Sequence, residues 1–374
     1  MKNRTREALS YLKKHLYLML YYMFSFLPIQ KKVVLASYTV DSVNLKSIKS
    51  ALSYENVKTI EIYGNNKKTA ELFMMAYHFA TASCIVIDSY YRHLYDIKHR
   101  QSTKFVQVWH AAGIFKNFAL LAEGKNQTNT LEYEQKAHKY YTHVIVSGDN
   151  IIEPYARAFG VPKDRVRALG VPRTDMFFDA SNKFTIPNKV YNRIPDIKGK
   201  KVILYAPTFR GDVSQRNRFN NCLEFIRFKD LFHAGYVLLC KLHPSVQEPL
   251  LIPRDLKSFV FDVSRYEDIN ELFYVTDILI TDYSSSIFEF ALFHRPIIFF
   301  AYDLDKYINE RGFYYDYEDF VPGPICKTTE EIVEQINSLE KLEVDHTHFI
   351  QTYLNRVDGS STERVVQQVI LTDN

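Results

Sequence analysis

The chain has 374 residues, of which 47% are hydrophobic and 24% are charged, and its formal net charge is +4. A chain of this length and composition is expected to fold into two globular domains, which excludes a disordered protein. The mild charge, without a basic segment interleaved with aromatic residues, argues against nucleic-acid binding. The four cysteines lie far apart without CxxC spacing, which argues against a structural zinc site or a disulfide framework and fits a reducing compartment.

The first 30 residues differ in character from the rest of the chain. Residues 16–29, LYLMLYYMFSFLPI, are almost wholly apolar and are flanked by the pairs Lys13-Lys14 and Lys31-Lys32. The stretch is too short for a spanning helix, which needs roughly 20 apolar residues. No small-residue cleavage site follows it, as a signal peptide would require. We predict that residues 1–30 form a helix on the membrane surface, with burial against its own domain as the alternative.

Short β-branched segments alternate with helical segments from residue 31 onwards. We predict an N-terminal Rossmann-like domain over 31–180, with strands at 31–37, 57–64, 82–88, 104–110, 143–148 and 165–170. The clearest helical periodicity between them is at 67–82. Continuous apolar strands separated by helices are typical of a parallel sheet covered on both faces.

The alternation stops at 171–200, which carries three prolines and is predicted to cross between domains. It resumes in a second Rossmann-like domain over 200–330, with strands at 200–210, 235–244, 259–262, 277–282 and 296–303 and helices at 222–229, 266–275 and 284–294. Residues 331–374 are predicted to be helices that pack back across the domains. The predicted fold class is therefore α/β, with two doubly wound domains facing a cleft. Ligands of such sheets bind outside the carboxyl ends of the strands.

In the second domain, the segment ILITDYSSSIFEF (278–290) places three serines between a strand and a helix. Ser284 and Ser285 at a helix N-terminus are suited to a diphosphate, with Asp282 beside them. The alternative is an ordinary N-cap serine with solvated neighbours. Glu289, about one turn into the helix, is a candidate for a ribose contact or a plain solvated residue.

Two more strand ends in this domain carry candidate phosphate ligands. YAPTFR ends with Arg210, a residue suited to bidentate phosphate contacts, and CKLHP places His243 before a proline. Each signal is weak alone, since surface arginines and core histidines are common. Their convergence with the serines predicts one anionic ligand.

In the first domain, VQVWHAAGIFK (106–116) ends a strand on His110, followed by small residues that allow close approach of a substrate. A histidine at the mouth of a cleft is suited to act as a general base. Lys116 is a candidate phosphate ligand. The alternative is that Trp109 and His110 are a core pair at a strand end.

A metal is not expected to be obligatory. The sequence DLD at 303–305 has Asp-x-Asp spacing, but its place at the start of a helix favours capping. No GxGxxG, P-loop or HExxH pattern is present, which argues against simple dehydrogenases, NTPases and zincins. We therefore predict no obligatory cofactor and no metal site.

The segments VWHAAGIFK, YAPTFR, KLHP, TDYSSSIFEFALFHRPIIFF and DLDKYINERGFYYDYEDFVPGPI, in this order over residues 100–330, resemble the CDP-glycerol:poly(glycerophosphate) glycerophosphotransferase family of teichoic-acid synthesis. The resemblance implies a glycosyltransferase-B type fold and transfer of a polyol phosphate from a CDP-activated donor, with release of CMP. It also implies that His110 is the catalytic base and that Arg210, His243, Ser284 and Ser285 hold the donor phosphates. Ala111 stands where some members have glycine.

The resemblance leaves several substrates open. Because the predicted core begins near the N-terminus, we expect a primase that transfers glycerol phosphate from CDP-glycerol to a polyprenyl-diphosphate-linked disaccharide, as a peripheral enzyme on the cytoplasmic face of the cell membrane. The alternatives are a CDP-ribitol-dependent transferase, a polymerase of the same family, or a glycosyltransferase that uses a nucleotide sugar. A catalytically silent binding protein is a further alternative, which a lack of CDP binding would favour.

Overall fold

Two parallel six-stranded sheets form the framework of the protein. The structure is a computed structural model that describes residues 2–40, 42–64, 68–124, 129–210, 222–246, 248–339 and 344–372. Apart from the strands at the sheet edges, each sheet is built from buried, apolar strands, as expected for sheets covered by helices on both faces. The α/β fold predicted from the alternating pattern is therefore confirmed.

The first sheet has the strand order β2-β1-β3-β4-β5-β6. Its strands are β1 Gln30–Ser37, β2 Lys58–Tyr63, β3 Ala82–Ile87, β4 Lys104–Gln107, β5 His143–Val146 and β6 Val166–Ala168. The predicted strand 104–110 ends three residues early, at Gln107. The reason is local, because Trp109 takes a left-handed φ of 50° that no strand can contain.

The second sheet has the order β12-β11-β10-β7-β8-β9. Its strands are β7 Lys201–Ala206, β8 Tyr236–Cys240, β9 Val260–Asp262, β10 Ile278–Thr281, β11 Ile297–Phe300 and β12 Ile325–Cys326. The two-residue β12 was not predicted, since it is too short to show a pattern. The strand order reverses between β7 and β10, and a reversal of this kind opens a crevice at the carboxyl ends of the two strands.

Fourteen α-helices cover the sheets within the described residues. They are α1 Lys2–Phe24, α2 Val43–Tyr54, α3 Thr69–Thr81, α4 Leu131–His138, α5 Ile152–Phe159, α6 Asn182–Arg193, α7 Lys229–His233, α8 Ile269–Phe273, α9 Ile287–Ala291, α10 Leu304–Glu310, α11 Tyr317–Phe320, α12 Thr329–Ser338, α13 Thr347–Tyr353 and α14 Ser361–Val365. Helix α6 occupies 12 residues of the predicted crossing segment 171–200. Across the part of the chain that the structure describes, no helix is both long and apolar enough to traverse a bilayer.

The two sheets are joined by aromatic packing and by the C-terminal chain. Gly113, in the segment after β4, packs against α9. A Cβ atom at this position would lie only 2.4 Å from the Phe288 ring. Beyond it, Lys116 forms an antiparallel bridge with Phe313. After α13 the chain returns to the first sheet, where Val365 and Val369 enter the core around β1, β3 and β4. These contacts fix the strand ends of both sheets around one cavity.

Candidate active site

A cavity of about 310 Å³ lies between the carboxyl ends of the two sheets. The first half of the molecule, built on the first sheet, supplies His110 and Arg173. The second half, built on the second sheet, supplies the loops that follow β7, β8 and β10. Five of the eight predicted site residues line it, namely His110, His243, Ser284, Ser285 and Glu289. A more open depression of about 630 Å³ along the edge strand β9 is lined by none of them.

His110 projects from a strained turn after β4. Its ring Nδ1 lies 3.4 Å from the carbonyl oxygen of Asp88. A carbonyl can only accept, so this contact puts the ring proton on Nδ1 and leaves the Nε2 lone pair for a substrate. Desolvation lowers the pKa of His110, the Asp88 carboxylate opposes that shift, and Arg173 adds to it. His110 is exposed to solvent at the mouth of the cavity, and the atoms packed around its ring are the cause of this desolvation. The lowered pKa keeps the imidazole neutral at more acidic pH than that of a free histidine side chain, as a general base requires.

The turn that carries His110 is held by residues that the sequence reasoning missed. Asn44 Nδ2 donates to the Trp109 carbonyl at 2.7 Å, and Asn44 Oδ1 accepts from the Arg173 amide at 2.8 Å. Arg173 Nη1 donates to the His110 carbonyl at 2.7 Å. A bulky residue at positive φ costs about 1–3 kcal/mol, and the surrounding bonds offset that strain. Arg173 follows β6 at the edge where His110 follows β4, a signal that could have identified it.

The three serines line the opposite wall. Ser284 Oγ lies 2.9 Å from Ser286 Oγ and accepts from the Ser286 amide at 3.3 Å. The helix that follows, α9, has only five residues. Its dipole is therefore small, and the hydroxyl and amide groups supply most of the polarity of this wall. The prediction of a long helix at 284–294 was wrong at both ends.

His243 faces the same cavity from the end of β8. Its Nδ1 accepts from the Ser245 amide at 3.1 Å, and this fixes the ring proton on Nε2. The ring packs at 4.7 Å on Phe209. His243 is thus oriented as a hydrogen-bond donor, whereas His110 is oriented as an acceptor.

Glu289 is buried and contacts the first half of the molecule. Its Oε1 lies 3.4 Å from Arg173 Nε. Burial raises the pKa of the Glu289 carboxyl, and the Arg173 charge opposes that shift. The predicted ribose contact remains a hypothesis, and the pair with Arg173 links the two walls of the cavity.

Arg210 and Asp282 lie behind the cavity wall and are not among its lining residues. Arg210 pairs with Asp282 at 2.8 Å and with Asp303 at 2.7 Å. Burial acts to lower the pKa of the guanidinium, but the two carboxylates outweigh it and raise the pKa. Asp282 also accepts from the amide and the hydroxyl of Thr208, at 2.9 Å each. The cluster ties together the loops after β7, β10 and β11.

The last predicted site residue, Lys116, and the predicted helix cap Asp303 are also not among the residues that line the cavity. The backbone of Lys116 forms the bridge with Phe313, and its charge lies near enough to His110 to lower the pKa of the histidine slightly. Asp303 precedes α10 as predicted, but its side chain makes no capping bond and binds Arg210 instead. Among the described residues, no group of three or more His, Cys, Asp or Glu side chains is arranged to hold a metal.

Two doubly wound sheets around a cleft at their strand ends define an α/β protein of the glycosyltransferase-B type. The wall teichoic acid polymerase TagF has this fold, with a TM-score of 0.78 and 23% identity over 98% of this chain and 96% of that one. The family model for CDP-glycerol:poly(glycerophosphate) glycerophosphotransferases matches residues 22–371. The chain belongs to this family of teichoic-acid enzymes, as the motifs predicted.

Two curated relatives come from Bacillus spizizenii W23. The teichoic acid poly(ribitol-phosphate) polymerase is 44% identical over 82% of this chain, and the chain spans 49% of that protein. The teichoic acid ribitol-phosphate primase is 35% identical over 91% of each chain. The chain therefore spans about half of one relative and nearly all of the other.

Proposed function

We propose that the protein transfers a polyol phosphate from a CDP-linked donor to a hydroxyl of a teichoic-acid acceptor, with release of CMP. The observation that carries the proposal is the meeting of His110 from one sheet with His243 and the serines from the other in one cavity. A volume of about 310 Å³ is at the lower end of the range typical of small-molecule sites.

His110 acts on the acceptor in this mechanism. Its Nε2 takes the proton of the acceptor hydroxyl as the oxygen attacks the β-phosphorus of the donor. The bond from that phosphorus to the bridging oxygen breaks, and CMP leaves with the electron pair. Such a transfer depends on positioning and electrostatic stabilisation and needs no covalent intermediate.

The second half holds the donor. His243 Nε2–H donates to a diphosphate oxygen, and the hydroxyls and amides of Ser284 and Ser285 offer further donors. Arg210 acts mainly by fixing the surrounding loops through Asp282 and Asp303.

The donor we favour is CDP-ribitol, which replaces the expectation of CDP-glycerol. The relatives at 44% and 35% identity are both ribitol-phosphate enzymes, and the ribitol-phosphate polymerase TarK of Staphylococcus aureus is 36% identical over 84% of this chain. The poly(glycerol phosphate) polymerase of Bacillus subtilis is 35% identical over 71%. Support for ribitol therefore comes from sequence identity.

The test measures CMP release from CDP-ribitol and from CDP-glycerol with a lipid-linked disaccharide primed with glycerol phosphate. We expect a kcat/KM at least tenfold higher for CDP-ribitol, equivalent to about 1.4 kcal/mol. Product mass then separates one added unit from a ladder. Equal or greater efficiency with CDP-glycerol would contradict the ribitol assignment, and turnover only with a nucleotide sugar would contradict polyol-phosphate transfer.

We also propose that the protein docks on a membrane through an apolar surface of α1 and α3. Of the eighteen large hydrophobic side chains that are exposed in the described residues, ten lie on these helices or in the turn after α1. They are Leu9, Tyr11, Leu12, Met19, Tyr22, Met23, Phe26, Leu27, Phe73 and Met74. Phe24 packs on Phe73 at 4.9 Å, so the two helices present one surface. Apolar and aromatic side chains beside lysines are typical of interfacial helices.

Sedimentation with lipid vesicles tests this surface. We expect binding to vesicles that contain phosphatidylglycerol, weaker binding to phosphatidylcholine alone, and at least a tenfold loss in Met23→Glu. The matched control is Phe184→Glu, at a residue that is 74% exposed on α6 and outside the surface. Equal binding by the two variants would contradict the docking surface.

A further inference from the structure

One buried side-chain amide, that of Gln107, contacts the backbone of the turn that carries His110. The Trp109 amide N–H donates to Gln107 Oε1 at 2.9 Å. Gln107 is the last residue of β4 and is fully buried. If this side-chain amide were flipped, its NH₂ group would face the Trp109 N–H, and two donors would oppose each other. The turn therefore depends on what fixes the other end of the Gln107 amide.

A chain of buried hydrogen bonds continues from that end. Gln107 Nε2 donates to Tyr141 Oη at 3.0 Å and to the Ser89 carbonyl at 3.2 Å. Tyr141 Oη lies 3.0 Å from His138 Nδ1, and His138 Nε2 lies 2.9 Å from Glu134 Oε2. Glu134, His138 and Tyr141 are all buried.

The chain has one consistent direction. Tyr141 Oη accepts from Gln107, so its own proton goes to His138 Nδ1. The His138 proton is then on Nε2 and goes to the Glu134 carboxylate. Burial would raise the pKa of Glu134, but bonds from His138, Asn129 and Tyr90 outweigh it and lower the pKa. The Glu134 carboxylate, which only accepts, sets the direction of the bonds from His138 to Gln107, and the Ser89 carbonyl, which also only accepts, supports the same orientation of the Gln107 amide.

We propose that Glu134, His138, Tyr141 and Gln107 form a positioning chain that locks the Trp109–His110 turn in its active geometry. None of the four lines the cavity. They act through the backbone that carries His110, and their effect on turnover rests on the proposed function of His110 as the base. Displacing a reacting group by about 1 Å can reduce turnover by about 10²-fold, so a loosened turn has a measurable consequence.

The test uses Trp109 as its probe, because it is the only tryptophan in the chain. The variants are Gln107→Leu, Tyr141→Phe and Glu134→Gln. The matched control is Tyr21→Phe, which removes an equally buried hydroxyl that donates to the Lys98 carbonyl in the same half of the molecule. We expect the Trp109 fluorescence to shift to the red most in Gln107→Leu, less in Tyr141→Phe and least in Glu134→Gln, with no change in the control.

Turnover is measured on the same samples at a temperature where circular dichroism shows each variant folded. We expect kcat to fall about 10²-fold in Gln107→Leu and about tenfold in Tyr141→Phe, with the donor KM within about twofold of wild type. Unchanged Trp109 fluorescence in Gln107→Leu would overturn the proposal, and so would a kcat equal to that of the control. If the wild type turned over no CDP-linked donor, the proposed function would fail, and the fluorescence would still decide whether the chain holds the turn.

Discussion

The two walls of the cavity are built in different ways. The first half contributes His110 on a turn with a strained residue, held by Asn44, Arg173 and Gln107. The second half contributes several polar side chains at the ends of β8 and β10. Among the described residues, no non-glycine residue with a positive φ belongs to this group. The first wall therefore fixes one group, the His110 imidazole, in one position. The second wall offers several hydrogen-bond donors that can bind the same ligand together.

This difference predicts a division of effects between turnover and affinity. A general base works only at hydrogen-bond distance from its proton, so changes in the first wall should reduce kcat. Diphosphate binding is spread over several donors, so changes in the second wall should mainly weaken donor binding.

The largest effect is expected from His110→Ala. Loss of a general base lowers turnover by about 10²–10⁴-fold, and we expect about 10³-fold here. The affinity for CDP, measured by calorimetry, should stay within about twofold of wild type. The control is His348→Ala, at an exposed histidine on α13, which should retain full activity. A kcat for His110→Ala within tenfold of the control would contradict the assignment of His110 as the general base.

Arg210→Leu should destabilise the second half. It leaves the buried Asp282 and its neighbour Asp303 without their cation, and breaking such a pair costs about 3 kcal/mol. The control is Arg227→Leu, because Arg227 makes exposed ion pairs with Glu224 and Glu330 that are worth less than about 1 kcal/mol each. Denaturant unfolding measures the free energy of unfolding of both variants. An equal decrease in the two would contradict a structural role for the Arg210 cluster.

Gly113→Ala tests how closely the two walls must approach. The new methyl group would overlap the Phe288 ring, which is itself packed on Phe320 and Phe349. Overpacking of this kind costs about 1–3 kcal/mol. Thermal unfolding should show the loss, and adding Phe288→Leu to the variant should recover part of it. Additive losses in this double-mutant cycle would show that the two positions do not meet.

The smallest effect is on the pH profile. Because neutral His110 is the base and burial lowers its pKa, kcat/KM should rise with pH through a pKa below 6.5 and level off above it. Lys116→Met removes a nearby positive charge that lowers the pKa of His110, so the pKa read from the kcat/KM profile should move to slightly higher pH. A kinetic pKa above 6.5 in the wild type, or a lower kinetic pKa in Lys116→Met than in the wild type, would contradict this effect of the surroundings on His110.

The sequence predicted the two-sheet framework and five of the eight side chains as lining the cavity, for physical reasons. Continuous apolar strands between helices define a covered parallel sheet, so eleven of the twelve strands were predicted, and β12 was missed. Parallel strand ends meet at one edge, which is why His243 and Ser284 were correctly grouped. The ion pair of Arg210 with Asp303 joins residues 93 positions apart and has no local signal. The left-handed Trp109 and its support by Asn44 likewise depend on tertiary contacts alone.

The most direct test of the account is an NMR titration with the donor. Protein labelled at histidine Cε1 is titrated with CDP-ribitol in the absence of acceptor, and the signals of His110 and His243 are assigned from His110→Ala and His243→Ala. We predict that both signals shift together with one binding constant, because the two rings line one cavity from opposite walls. A shift of neither signal would contradict the donor site, and a shift of His243 without His110 would contradict the placement of His110 beside the reacting phosphorus of the bound donor.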